Sequence, residues 1–187
     1  MQSKCFTPED VLRRYFHAKD ENRPHLLEDV FAPDAELLIR NRSENIAFPA
    51  LTRGRSAIAE VLVRSFALSY ENVYSFYLRR PSPGVQEFVC PWLVGMSERS
   101  SGDVRVGCGT YEWAFGPHPS CMASRLVVTI EAMEALPLAE SKRVFAWLRA
   151  LTYPWSSPEA ALHDIPASQR LSPIAQFLSR HIPVAGT

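Results

Sequence analysis

One tyrosine and two glutamates are the side chains of this sequence whose type and placement best suit chemistry. Tyr15 belongs to a segment in which Val11, Leu12, Tyr15 and Phe16 recur at helical spacing, so its hydroxyl can donate a hydrogen bond from the edge of a core. Glu112 and Glu131 each sit inside a run that alternates like a strand. A carboxyl buried in such a run can serve as a general base, because desolvation raises its pKa. It can equally well pair with an arginine at a surface or an interface, and Glu87 is a further acid of the same kind. His17 falls off the apolar face of the first segment and reads as a surface residue, while His25, His118, His163 and His181 share no spacing that suggests a metal. The four cysteines, Cys5, Cys90, Cys108 and Cys121, are not spaced as a zinc site or a disulfide framework and read as reduced thiols. Gly107-Cys-Gly109 lacks the third glycine and the following helix of a dinucleotide-binding loop. Neither a nucleophile elbow nor a catalytic-cysteine motif is present. No cofactor is called for.

The elements that must position these residues follow from periodicity. Thr7 can cap a first helix that opens with Pro8, Glu9 and Asp10, and the polar run 19–23 ends its apolar face. Pro24 opens a second helix bearing Leu26, Leu27, Val30 and Phe31, which stops at Ala32-Pro33-Asp34. Short strands are expected over Glu36–Asn41 and Ile46–Thr52, and a third helix opens at Gly54-Arg55-Ser56. The period then changes to two over Val73–Arg80, Val85–Ser97, Val104–Phe115 and Arg125–Glu134, four long strands rich in β-branched and aromatic residues. Helices followed by a strand meander imply an α+β layer with a mostly antiparallel sheet. Helices return at Leu138–Thr152 and Ser172–His181, joined by an irregular wrap whose aromatics need a surface to cover.

Composition narrows the class. The chain has 187 residues, is 47% hydrophobic, and balances 20 basic against 20 acidic side chains. A neutral chain without a basic stripe is not built to bind duplex nucleic acid. No apolar run approaches the ~18 residues of a membrane span, nor does the start resemble a signal peptide, so a cytoplasmic location is expected.

The order of elements, together with Val30-Phe-Ala-Pro-Asp-Ala-Glu-Leu-Leu38 and Arg53-Gly-Arg-Ser-Ala-Ile58, resembles the NTF2-like superfamily, particularly its SnoaL-like and ketosteroid-isomerase-like branches. The resemblance covers about residues 6–134, read as the NTF2-like domain 1–134, and leaves 135–187 as a helical extension packed on it. It implies a cone-shaped sheet, strongly curved around the N-terminal helices, with an apolar pocket for a small hydrophobic molecule. It also implies a homodimer through the outer face of the sheet. In isomerase-like members a tyrosine of the first helix donates to the substrate oxyanion, a place that falls to Tyr15. The family's aspartate base falls at Ile39, which cannot abstract a proton, so ordinary ketosteroid isomerase chemistry is not expected. The second acid of the oxyanion hole falls near Tyr111. The pocket is expected to carry Phe31, Trp92, Tyr111, Trp113, Phe115 and Met133, with Val127, Thr129, Glu131 and Met133 as the inward set of the last strand.

Two functions fit. One is a cofactor-independent isomerase, lyase or cyclase, using Tyr15 with Glu131 or Glu112 for proton transfer. The other is a non-catalytic ligand-binding or dimeric interaction module, with both glutamates exposed or locked in ion pairs. A carboxylate or histidine pointing into the cavity separates the two. The extension can serve as core cover, dimer contact or lid.

Overall fold

The computed structural model describes residues 6–117 and 120–183; Cys5 and His118 lie outside them. Helix α1 (Pro8–Asp20) starts at a capping box. The Thr7 hydroxyl accepts from the Asp10 amide at 3.2 Å, and the Asp10 carboxylate accepts from the Thr7 amide at 2.9 Å. Its buried stripe is Val11, Leu12, Tyr15, Phe16, Ala18 and Lys19. The expected second helix is shorter, a 3-10 helix over Pro24–Asp29. Phe31 belongs instead to strand β1 (Phe31–Asn41), where it pairs with Ala123. The register slips between Phe31 and Glu36, around Pro33, which has no amide hydrogen for a ladder.

Of the strand expected over Ile46–Thr52, only Leu51–Arg53 pairs, as β2. Pro49 breaks the rest. Residues 42–50 form a loop tied down by Asn41 Nδ2 donating to the Ile46 carbonyl (2.6 Å) and Asn45 Nδ2 donating to the Met133 carbonyl (2.7 Å). Helix α2 (Arg55–Ala59) continues through a π-helical turn (Glu60–Ser65) into α3 (Phe66–Ser69). Strands β3 (Tyr70–Tyr77), β4 (Glu87–Glu98), β5 (Val104–Phe115) and β6 (Ala123–Leu136) complete one six-stranded sheet of order β2-β1-β6-β5-β4-β3. Among the six described strands, the β1–β6 pair alone is parallel.

Two cores result, one on each face of the sheet. The inner core joins α1, α2 and α3 to Trp92, Val94, Met96, Tyr111, Trp113, Phe115, Leu126, Val128 and Ile130. The outer core joins Phe76, Leu93, Val106 and Cys108 to helices α4 (Ser141–Ala150), α5 (Pro158–His163) and α6 (Ser172–Arg180). Helix α5 lies where only an irregular wrap was expected, and the Ser157 hydroxyl caps it. A backbone socket seats the extension: a Cβ built on Gly95 would lie 2.2 Å from Leu148 Cδ1, so the leucine tip occupies the space that a side chain there would take. The extension also covers the β3 edge. The Tyr77 amide donates to the Pro154 carbonyl (2.8 Å), the Ser156 amide donates to the Tyr77 carbonyl (2.9 Å), and Trp155 stacks on Tyr77 at 4.8 Å.

Alternation along β6 does not survive intact. Cys108 pairs with Ala132 but Gly109 pairs with Ile130, leaving Glu131 as the extra residue of a bulge. Before the bulge the inward set is Leu126, Val128 and Ile130, so the expected Val127, Thr129 and Glu131 face the other way, and the bulge is what lets Met133 face inward as expected. Gly109 is what permits this crossing, since a Cβ there would fall 1.9 Å from the Thr129 carbonyl oxygen.

Candidate functional site

Between α1, the α2–α3 run and the inner face of the sheet lies a cavity of about 50 Å³, lined among others by Tyr15, Ile39, Trp92, Tyr111, Val128 and Met133. Ile39 thus stands on the cavity wall. The Tyr15 ring meets those of Trp113 (5.1 Å) and Tyr111 (6.0 Å) edge-on. Burial pushes both phenols well above their ordinary pKa, so they stay protonated across the physiological range. Of the other side chains expected at the pocket, Trp92 and Met133 line the cavity. Phe31, Trp113 and Phe115 instead form a stacked column in the adjoining core, with successive centroids 5.9 Å apart.

The two glutamates are elsewhere. Glu112 accepts from Arg40 at 2.8 Å and Glu131 from Arg42 at 2.8 Å, both on the outer face. Neither borders the cavity, and neither does any other carboxylate or histidine among the described residues. The physical reason is the same for both: Glu112 alternates away from the inward Tyr111 and Trp113, and Glu131 alternates away from the inward Ile130.

A polar group that sequence reasoning passed over does reach the cavity. Lys19 lines it and is only 7% exposed. Its ammonium donates to Asp20 Oδ1 at 2.5 Å and to Ser75 Oγ at 2.7 Å, and lies over the rings of Phe16 (5.6 Å) and Phe66 (5.3 Å). Asp20, its side chain 5% exposed, also accepts from the Ser75 amide (3.1 Å) and hydroxyl (2.9 Å). Burial raises the Asp20 carboxyl above its ordinary pKa, and the Lys19 ammonium and the Ser75 donors oppose that rise. The i, i+4 spacing from Tyr15 puts Lys19 on the buried helical face, but its partner Ser75 is distant in sequence.

The donors at this cavity outnumber their partners. An ammonium carries three N–H groups, and the bonds of Lys19 to Asp20 and Ser75 engage two. The Trp92 indole N–H, on a residue 4% exposed, is buried without a hydrogen-bond partner. A buried unpaired donor costs free energy on the order of 1–3 kcal/mol, so the Trp92 N–H is a local cost in the wall beside the cavity.

An outer groove of about 300 Å³ adjoins the cavity and shares three of its lining residues, Ile46, Phe48 and Phe66. Ile46 and Phe48 come from the 42–50 loop, and Phe66 follows the π-helical turn, a distortion frequent at functional sites.

Comparison with known proteins bears chiefly on the fold. No family model matches the sequence. A curated O-acetyl-ADP-ribose deacetylase from Cronobacter turicensis is 33% identical over 70 residues, 37% of this chain and 39% of that protein. Among solved structures, an NTF2-like superfamily protein from Salmonella enterica serovar Typhimurium superposes with a TM-score of 0.50 at 18% identity, covering 66% of this chain and 88% of its own. An NTF2-like protein from Burkholderia thailandensis gives 0.51 at 13%, covering 67% and 91%. A type 2 hexachlorocyclohexane dehydrochlorinase gives 0.50 at 15%, covering 68% and 84%. Helices held in a curved, mostly antiparallel sheet of this strand order, together with those likenesses, establish that the chain has the NTF2-like fold.

Proposed function

We infer that this protein binds a small, mainly apolar molecule in the concave cavity and does not itself carry out acid–base chemistry there. The observation that carries the reading is the cavity wall, which is built mainly of apolar and aromatic side chains and holds neither a carboxylate nor an imidazole among the described residues. Proton abstraction needs a base within hydrogen-bond reach of the substrate. Ile39 supplies none, and Glu112 and Glu131 are engaged by arginines on the far face. The cavity alone admits only a few heavy atoms, since one water needs about 10–15 Å³ of such volume. Joined to the groove by movement of Ile46, Phe48 and Phe66, it enters the range of ~300–1,000 Å³ found for ligand sites. The dehydrochlorinase among the structural neighbours is an enzyme, yet that likeness carries the fold and not a base.

A homodimer through the sheet is confined to the half of the outer face that carries Val89, Thr110, Glu112 and Arg40, because α4, α5 and α6 cover the other half. Native mass spectrometry of protein purified from the cells that make it, followed by solvent extraction, tests the binding reading. A stoichiometric small molecule that disappears when Ile39→Trp fills the cavity supports it. A molecule retained equally by Ile39→Trp would place binding elsewhere and overturn it.

A further inference from the structure

Among the described residues, Lys19 is the one primary amine on the cavity wall, and the binding reading makes no use of it. It belongs to the buried stripe of α1, and its ammonium lies 5.3 Å from the ring of Phe66, which lines the same cavity. Its counter-ion does not border the cavity: Asp20 Oδ1 stands 2.5 Å away, in a side chain 5% exposed. The Ser75 amide and hydroxyl hold that carboxylate in place. An amine beside an apolar space, with a fixed carboxylate as its partner, has the parts needed to bond an electrophilic carbonyl carbon. Resting on the binding reading above, we propose that Lys19 captures a small aliphatic aldehyde as an iminium, with Asp20 as the counter-ion.

The proton inventory closes within the pair. Asp20 takes one proton from the Lys19 ammonium, and the freed lone pair of Nζ attacks the aldehyde carbon. The aldehyde oxygen then receives one proton from Nζ and the one held by Asp20, and leaves as water. Nζ keeps one proton, a double bond to carbon and the positive charge, and Asp20 is again a carboxylate. Burial favours the uncharged acid that Asp20 must briefly become. No base on the cavity wall takes part, and the C–H bonds of the ligand stay intact. A cavity of about 50 Å³, at about 10–15 Å³ for each water-sized group, suits an aldehyde the size of propanal.

The chain has three lysines, Lys4, Lys19 and Lys142, so peptide mass can locate the capture. The full-length protein is treated with propanal and sodium cyanoborohydride, whose hydride reduces an iminium to a stable N-propyl amine. A parallel sample receives 1-butene, a near-isostere without the electrophilic carbon, and the methyl signals of Ile39 and Val128 are followed by NMR. Lys19 is expected to be propylated ahead of the exposed Lys142, and that preference to be lost when guanidinium unfolds the protein. Lys19→Arg, which keeps a charge for Asp20, is expected to lose the preferred label. If Lys19 reacts no faster than Lys142 while 1-butene moves the two methyl signals, the capture is overturned and the binding reading stands. If Lys19 is unmodified and 1-butene moves neither signal, the binding reading fails as well.

Discussion

Replacing Lys19 with methionine keeps most of the stem and removes the charge, leaving the Asp20 carboxyl buried without its cation. Breaking a buried ion pair on one side costs about 3–5 kcal/mol. Ser75 still donates to Asp20 through its amide and hydroxyl, which favours the lower end. At about 2–4 °C per kcal/mol for a chain of this size, the melting temperature drops on the order of 6–12 °C at neutral pH. The pH dependence gives a sharper check. Burial already raises Asp20, and removing the ammonium that opposes this raises it further. A carboxyl whose folded pKa lies above its unfolded value of about 3.9 contributes most stability below that value and loses it as pH climbs through the folded pKa. The Lys19→Met deficit therefore widens from pH 4.5 to pH 8, and Lys19→Met/Asp20→Asn recovers most of it. Urea unfolding midpoints at the two pH values, with unchanged m-values, measure the effect. A deficit under about 1 kcal/mol at pH 8, or one larger at pH 4.5, would refute the reasoning.

Three further outcomes are expected. Gly95→Ala should cost about 1–3 kcal/mol, since the new methyl displaces only the tip of Leu148, and Leu148→Ala should absorb part of that cost in a double-mutant cycle; additive losses would show that the socket is not the cause. Gly109→Ala meets the Thr129 backbone instead, so it should be the more damaging of the two and gain nothing from Leu148→Ala in the same denaturation assay. Burial pushes the Cys90 and Cys108 thiols up to about 12, so both should resist a thiol reagent at pH 8 in the folded protein and react once it is unfolded in urea; rapid native labelling at either position, read by peptide mass, would contradict their placement.

The fold was legible wherever one periodicity ran unbroken. Val104–Phe115 alternates cleanly, and its boundaries and its inward aromatics Tyr111, Trp113 and Phe115 follow directly. Misreadings occur where a single backbone irregularity resets the count. The bulge at Glu131 breaks the count between Met133, which does face inward, and the residues before it, and β1 runs through Pro33 in a segment that reads as a helix stop. Pro49 limits β2 to three residues where a longer strand was expected. Lys19 was missed for a different reason, because a charged residue at a helix end normally marks solvent. Its spacing from Tyr15 places it on the inner face, but the Ser75 contact that makes its burial tolerable spans 56 positions of sequence and is not visible locally. The socket at Gly95 is hidden in the same way, as its partner Leu148 lies in an extension whose docking face the sequence does not name.

The central claim is that the space between Tyr15, Ile39, Trp92 and Met133 is a binding site open to small apolar matter. A crystal of the protein pressurised with xenon tests it directly, because dry apolar cavities take up the gas. Anomalous density within that space, absent in Ile39→Trp, is the result predicted. Xenon sites confined to the outer core or the surface, with that space left unfilled, would contradict it.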